Sequence, residues 1–294
     1  MRLRTLPLSL AGMSLGILLA AGDCRAFNLL TVVLLLLTTV SLQILSNLSN
    51  ELGDTLHGTD RSDRQGVRYS LQDGAMTLSE MKRLIGCFAV LSCLFGLGML
   101  WSAFGTLFAP LPAAFLLLGA AAVWAAMHYT LGRNPYGYRG LGDLSVFVFF
   151  GLAAVCGGYF LTGLSWSWRI LLPAAALGCF SVGVLNVNNI RDMKSDAATR
   201  VTVALKMGER RARIYQTVLI AAGWVLMTAF SLLPPVHPWR FLYAASLVVF
   251  VRHLRGVWTL RDRALDPMLP LLVAGTLLFA LLGGAGYLLS LNGA

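Results

Sequence analysis

Apolar residues run in long unbroken stretches along this chain, divided by short polar connections or by connections marked with glycine and proline. Nine stretches stand out, at about 5–22, 27–49, 82–108, 111–130, 144–164, 169–190, 213–233, 239–254 and 268–291. Most reach the roughly 18 residues or more that a helix rising ~1.5 Å per residue needs to cross a hydrocarbon core of ~30 Å. The pattern predicts an all-α fold: a polytopic transmembrane bundle of about nine helices. It reads as one domain, 1–294, with polar Asp-rich loops on the inner side at about 50–81 and 188–212. The first stretch follows Met1-Arg2-Leu3-Arg4 without a small-residue cleavage site, so it reads as a retained span and not a removed leader. The eighth is the shortest, and its ends are the least defined.

Composition removes the soluble alternative. Length alone suggests two soluble domains, but 57% of the 294 residues are hydrophobic, 12% are charged and the mean hydropathy is +0.73. A net charge of +10 in a soluble chain would point to nucleic acid. Here the positive-inside rule explains it, and no nucleic-acid partner is expected. With the N-terminus inside, the outer connections hold Arg25, Arg169 and Arg240, leaving the other twenty of 23 basic residues inside. Asp23 is the one acid outside. The count puts the N-terminus in the cytoplasm and Ala294 outside, with Trp166, Trp168 and Trp239 forming an outer aromatic belt. The five cysteines are scattered through apolar runs and make neither a disulfide framework nor a metal spacing.

The candidate chemistry lies where two apolar stretches end. Asn186–Lys206 turns abruptly into asparagines, aspartates and basic residues, with Asn188, Asp192 and Asp196 spaced by four and so stacked on one helix face. Asn50 and Asp54 repeat the spacing at the end of the second stretch, followed by Asp60 and Asp63 with Arg61, Arg64 and Arg68 between and after them. Carboxylates one turn apart repel unless a cation joins them. Magnesium takes few protein carboxylates and completes its shell with water and phosphate oxygens. The pair therefore predicts a Mg²⁺–phosphate site at the cytoplasmic membrane surface; the plainer alternative is two solvated loops of mixed charge. Their placement four spans apart hints at an internal duplication.

The connection Tyr129–Asp143 is rich in turn residues. Its three tyrosines with Arg133 and Arg139 suit a pocket for an aromatic anion, or else an interfacial anchor. His57 reads as a solvated loop residue, and His128, His237 and His253 as interface residues. A transporter is the rival from another class, since paired polar clusters at helix breaks also suit carriers. Transport sites lie near the midplane, however, and no ionisable residue reads as deep in a span.

These residues resemble the UbiA superfamily of intramembrane prenyltransferases, in which Asn-Asp-x-x-Asp-x-x-x-Asp and Asp-x-x-x-Asp motifs close the second and sixth helices. The naphthoate branch, acting on 1,4-dihydroxy-2-naphthoate in menaquinone synthesis, is similar in more detail. Its Asn-Asp-x-x-Asp-x-x-x-Gly-x-Asp pattern is met at Asn50, Asp54, Gly58 and Asp60, and the likeness extends to Arg4-Thr5-Leu6, Tyr138–Asp143 and Asn188–Asp192 with Asp196. Glu51 replaces the usual Asp, and the run after Asp196 lacks the usual Gly-Lys.

The resemblance implies Mg²⁺-dependent transfer of a polyprenyl group from polyprenyl diphosphate to an aromatic acid, with loss of CO₂, in a bacterial inner membrane. It implies metal ligands among Asn50, Glu51, Asp54, Asp60, Asn188, Asp192 and Asp196, and diphosphate clamps among Arg64, Arg68, Arg200 and Lys206. Arg139 is the expected partner of the acceptor carboxylate, and Tyr138 and Asp143 are expected to orient the ring or handle its protons. Another aromatic acceptor, such as 4-hydroxybenzoate, is the alternative within the enzyme class.

Overall fold

The computed structural model describes residues 5–24, 27–58, 70–71, 73–197 and 199–292. Among them nine helices are long and apolar enough to cross a membrane: α1 Leu6–Asp23, α2 Leu29–Leu56, α3 Leu78–Phe104, α4 Pro110–His128, α5 Gly142–Gly163, α6 Trp168–Arg191, α7 Glu209–Ser231, α8 Pro238–Thr259 and α9 Asp262–Leu291. The nine expected spans are all present, with shifted ends. α2 continues through Leu56, so Asn50, Glu51 and Asp54 lie on its last two turns and not on a loop. Hydropathy marks where apolar residues stop; the helix itself stops only where its carbonyls find other partners. α3 begins early, at a reciprocal cap between Thr77 and Glu80, and closes at left-handed Gly105.

α2 packs on α3, α1 lies against α5 and α9, and α7 lies against α6. α6 is the central pole, the most deeply buried of the nine helices, whereas α4 is the least buried. In lipid no water-driven force holds helices together, so close packing must do it. Phe180 of α6 meets the rings of Phe250 and Phe279 at centroid distances of 4.7 and 4.9 Å. Where α5 crosses α6, a Cβ on Gly151 would stand 2.5 Å from the Cα of Gly178. The same stretch of α5, Phe147–Ala153, is wound as a π-helix.

Two polar networks tie the bundle, one partly exposed and one buried. At the end away from the Asp clusters, Asp23 accepts from Tyr159 at 2.6 Å, Tyr287 at 2.5 Å and Arg169 at 2.8 Å. This joins α1, α5, α6 and α9. The second runs through the bundle. Asn186 donates to Gln216 at 2.9 Å, and Gln216 and His253 Nε2 are 3.0 Å apart. His253 Nδ1 is 2.9 Å from the Met268 carbonyl, which makes Nδ1 the protonated nitrogen and Nε2 the acceptor. His253 is fully buried, which corrects its reading as an interface residue. Sequence places it beside Arg252 and Arg255, but on a helix adjacent residues face different ways.

Candidate active site

The last turns of α2 carry the first cluster. Asn50 and Asp54 stack one turn apart, and Gly53 between them lets another chain segment sit directly on the helix. A Cβ on Gly53 would lie 2.5 Å from Thr130 Oγ1. That hydroxyl is 3.0 Å from the Ser49 carbonyl and 3.2 Å from Asn50 Oδ1, which fixes the amide. Asp54 is fully buried and accepts from the Tyr138 phenol at 2.7 Å. Glu51, also buried, accepts at 3.1 Å from the backbone N–H of Leu71, so it ties down the chain that follows the motif. Asp60, Arg64 and Arg68 lie outside the described residues.

The second cluster caps α6. Asp192 ends the helix, its N–H bonded to the Asn188 carbonyl at 3.0 Å, and a further helical turn, Met193–Asp196, follows. Arg191 grips Asp192 through Nε at 2.8 Å and Nη2 at 2.7 Å. The same guanidinium reaches Asn188 at 2.9 Å and Asp266 at 2.6 Å. A buried ion pair repays its desolvation only with geometry of this kind. Arg200 meets the buried Asp196 at 2.7 Å, and Lys194 meets Asp262 at 3.0 Å on the exposed surface.

Tyr138 joins the two clusters. Its phenol is on Asp54, its carbonyl accepts from Val201 N at 2.9 Å, and Arg200 sits 6.0 Å above its ring. His57 packs edge-on against it with centroids 5.3 Å apart. Asp54, Tyr138, Arg200 and Asp196 are therefore one constellation, drawn from three separate stretches of chain. Arg139 and Lys206 are not part of it; both are exposed. Asp143 stands in the first turn of α5 with the Tyr215 phenol beside its carboxylate, and its buried Oδ2 makes no close hydrogen bond among the described residues. Burial pushes the Tyr129 and Tyr136 phenols above their usual range, so both stay protonated.

Beside these groups lies a cavity of about 460 Å³, which Arg200 reaches and whose lining does not include Asp54, Tyr138, Asp192 or Asp196. Asn50, Asn188, Arg191, Arg200, Tyr129 and Asp143 line its polar part, and Leu35, Met99, Phe115, Phe149 and Leu161 its apolar part. α2 supplies Leu35, Thr38, Thr39, Leu42, Gln43, Ser46, Asn47 and Asn50, a single helical stripe. At ~1.5 Å per residue that wall is roughly 22 Å long. Gln43 and Asn47 are both buried; the Gln43 amide donates to Thr5 at 3.0 Å and to Asn47 at 3.3 Å.

Sequence reasoning missed these amides, although Gln43, Asn47 and Asn50 recur at helical spacing inside an apolar run, which is a readable signal. It also missed Arg191, which the sequence presents only as a neighbour of Asp192. Among the described residues no three His, Cys, Asp or Glu side chains form a metal cage of protein groups alone. The donors near the cavity are oxygens of Asn and Asp, the hard set that magnesium takes when phosphate and water complete its shell, so the residues fit that ion.

Fold and site together define a membrane-embedded helical protein in which asparagines and arginines, held by buried carboxylates, line the polar part of a cavity with an apolar body. The UbiA prenyltransferase family model matches residues 9–268, and the chain belongs to that family. It is 39% identical to the 1,4-dihydroxy-2-naphthoate octaprenyltransferase of Escherichia coli K12, over 99% of this chain and 94% of that protein. The protein of the same name from Mycobacterium tuberculosis is 36% identical, over 95% of each chain. The solved apo structure of a UbiA homolog from Aeropyrum pernix K1 superposes with a TM-score of 0.73 at 20% identity, covering 98% of both chains, and so shares the fold.

Proposed function

We propose that the chain transfers a polyprenyl group from polyprenyl diphosphate to 1,4-dihydroxy-2-naphthoate, releasing diphosphate and CO₂ and giving demethylmenaquinol. The observation that carries this reading is the 39% identity, along 99% of the chain, to a relative named for that acceptor. The cavity's union of polar and apolar walls supports it. The whole chain acts as one domain in a bacterial inner membrane, with the N-terminus and the Asp clusters on the cytoplasmic side, as the distribution of basic residues supports.

In the reaction the allylic C–O bond breaks and its electron pair leaves with the diphosphate. The ring carbon bearing the carboxylate supplies the pair for the new C–C bond. Loss of CO₂ returns a pair to the ring, so aromaticity is restored without a base removing a proton from that carbon. Asn50, Asp54, Asn188, Asp192 and Asp196 would hold Mg²⁺, with Asp60 and Glu51 assisting. When bound, the ion supplies Lewis acidity toward the diphosphate oxygens. Arg200 adds preorganised positive charge, with Arg64, Arg68 and Lys206 as further clamps. The isoprenoid lies along the apolar wall, where water is excluded and the faces of Tyr129 and Phe149 can meet an allylic cation. In this reading Asp143 accepts from a hydroxyl of the acceptor, Tyr138 holds Asp54, and Arg139 meets the acceptor carboxylate.

The deciding experiment offers purified protein a polyprenyl diphosphate, Mg²⁺ and a panel of aromatic acids, with products read by mass spectrometry. A prenylated, decarboxylated naphthoquinol is the expected product. Exclusive prenylation of 4-hydroxybenzoate would overturn the acceptor, and no transfer to any acid would overturn the reaction.

A further inference from the structure

We propose that Arg191 is a diphosphate-binding residue held behind Asp192, and that Asp266 is the positioning residue that keeps it in place when Asp192 turns to the metal. The inference rests on the reading of the second cluster as a Mg²⁺–diphosphate site. Arg191 presents its Nε and Nη2 edge to both oxygens of Asp192, at 2.8 and 2.7 Å. That two-point fork is the geometry by which arginine binds phosphate oxygens. Arg191 is only 4% exposed yet lines the cavity, and since Asp192 covers its Nε and Nη2 edge, an anion that takes this edge must displace the carboxylate.

The other bonds of the guanidinium leave Asp192 out. Nη1 reaches Asp266 Oδ1 at 2.6 Å, and Nη2 reaches Asn188 Oδ1 at 2.9 Å. Once Asp192 turns toward a cation, these two contacts help to hold the guanidinium at the cavity wall. Asp266 belongs to neither Asp cluster. It comes from the start of α9, 74 residues beyond Asp192 in the chain. Asn188 is a neutral acceptor, on the nitrogen shared with the incoming anion. Asp266 supplies a charged acceptor on the opposite nitrogen.

The test is calorimetric titration of inorganic diphosphate, in the presence of Mg²⁺, into detergent-purified protein, with thermal unfolding of each variant as control. Asp266→Asn should raise the diphosphate Kd about ten- to hundredfold, the range expected for a lost charge-assisted contact. Arg191→Lys keeps the charge, loses the fork and should do the same. The double variant should be no weaker than Arg191→Lys alone, because Asp266 acts through that side chain. Asp266→Glu should recover part of the affinity. Wild-type affinity in Asp266→Asn, or additive losses in the double variant, would overturn the proposal. If Asp266→Asn does not fold, Arg191→Lys compared with and without Asp266→Glu decides the same point: additivity there refutes coupling. Wild-type protein that binds Mg²⁺–diphosphate but prenylates no acid would refute the proposed reaction and leave this pair standing. Failure of the wild type to bind diphosphate would refute both.

Discussion

Replacing Tyr138 with phenylalanine removes one oxygen from the joint between the two clusters. The ring stays, so its edge contact with His57 at 5.3 Å and its place beneath Arg200 at 6.0 Å are kept. The backbone bond from Val201 to its carbonyl is kept as well. What goes is the 2.7 Å donation to Asp54, a carboxylate with no exposed surface. A hydrogen bond to a charged group is worth ~1.5–3 kcal/mol. At ~1.4 kcal/mol per decade this corresponds to about a ten- to hundredfold change in an equilibrium constant. If Tyr138 holds Asp54 in the orientation that takes Mg²⁺, the loss falls on the metal.

The assay is turnover against Mg²⁺ concentration at saturating prenyl diphosphate and acceptor. Tyr138→Phe should shift the half-saturating Mg²⁺ concentration up by about ten- to hundredfold. The KM for the acceptor should stay unchanged, and excess Mg²⁺ should restore most of kcat. Tyr138→Ala should do worse, because Arg200 and His57 then lose the ring they pack against. An unshifted Mg²⁺ curve for Tyr138→Phe would refute the reasoning. So would a loss of kcat that high Mg²⁺ does not recover, which would put the phenol in the chemistry itself.

Asp54→Asn, Asp192→Asn and Asp196→Asn should each lower turnover by orders of magnitude, and EDTA should abolish it in the wild type; activity that survives chelation would refute the metal requirement. Asp192→Asn should also lower the unfolding temperature, since breaking a buried pair costs ~3–5 kcal/mol and Asp192 lies buried against Arg191. Arg139→Ala should raise the acceptor KM about tenfold, the low end for a charge-assisted contact because Arg139 is exposed, with Arg139→Lys between; an unchanged KM would remove Arg139 from the site. In a protein stripped of native cysteines, single cysteines at positions 57 and 200 should resist an impermeant label in intact cells while one at 235 reacts, and labelling at 57 would invert the topology.

The architecture was legible because a bilayer leaves a chain few choices. A span must satisfy its own backbone polar groups, so long apolar runs translate directly into helices. Helix ends were less legible. α2 keeps its helical bonding seven residues past its apolar run because Asn50, Glu51 and Asp54 are satisfied by Thr130, Leu71 and Tyr138. Each of those partners comes from another stretch of chain, which local hydropathy does not record. The same limit hid His253 and Arg191. Both are charged or chargeable residues near apolar ends, and sequence alone reads them as surface groups. Their burial depends on Gln216, Met268 and Asp266, from other helices. The two Asp clusters were legible as a pair because Asn50–Asp54 repeats the spacing of Asn188–Asp192. Tyr138, one of three loop tyrosines to which the resemblance gave a part in handling the ring, showed no sign in sequence of its bond to Asp54.

The cavity wall shows how one helix can serve two opposed demands. A departing diphosphate needs cations and hydrogen-bond donors, whereas the allylic cation left behind must not meet water. α2 presents the amides Asn50, Asn47 and Gln43 nearest the Asp clusters, then Thr39 and Thr38, then Leu35, all on one stripe. The gradient runs along the axis and not around it, since these positions recur every three or four residues. A shift of one residue would rotate the stripe by ~100° and turn the amides out of the cavity. Gln43 and Asn47 also bond each other and Thr5 of α1's N-terminal edge, so amides that would be costly in hydrocarbon are satisfied on the protein side. Polarity in this wall is thus bounded by the helix period, and the transition from ionic to apolar surroundings is built into a rigid element. A flexible loop would admit water to the same place.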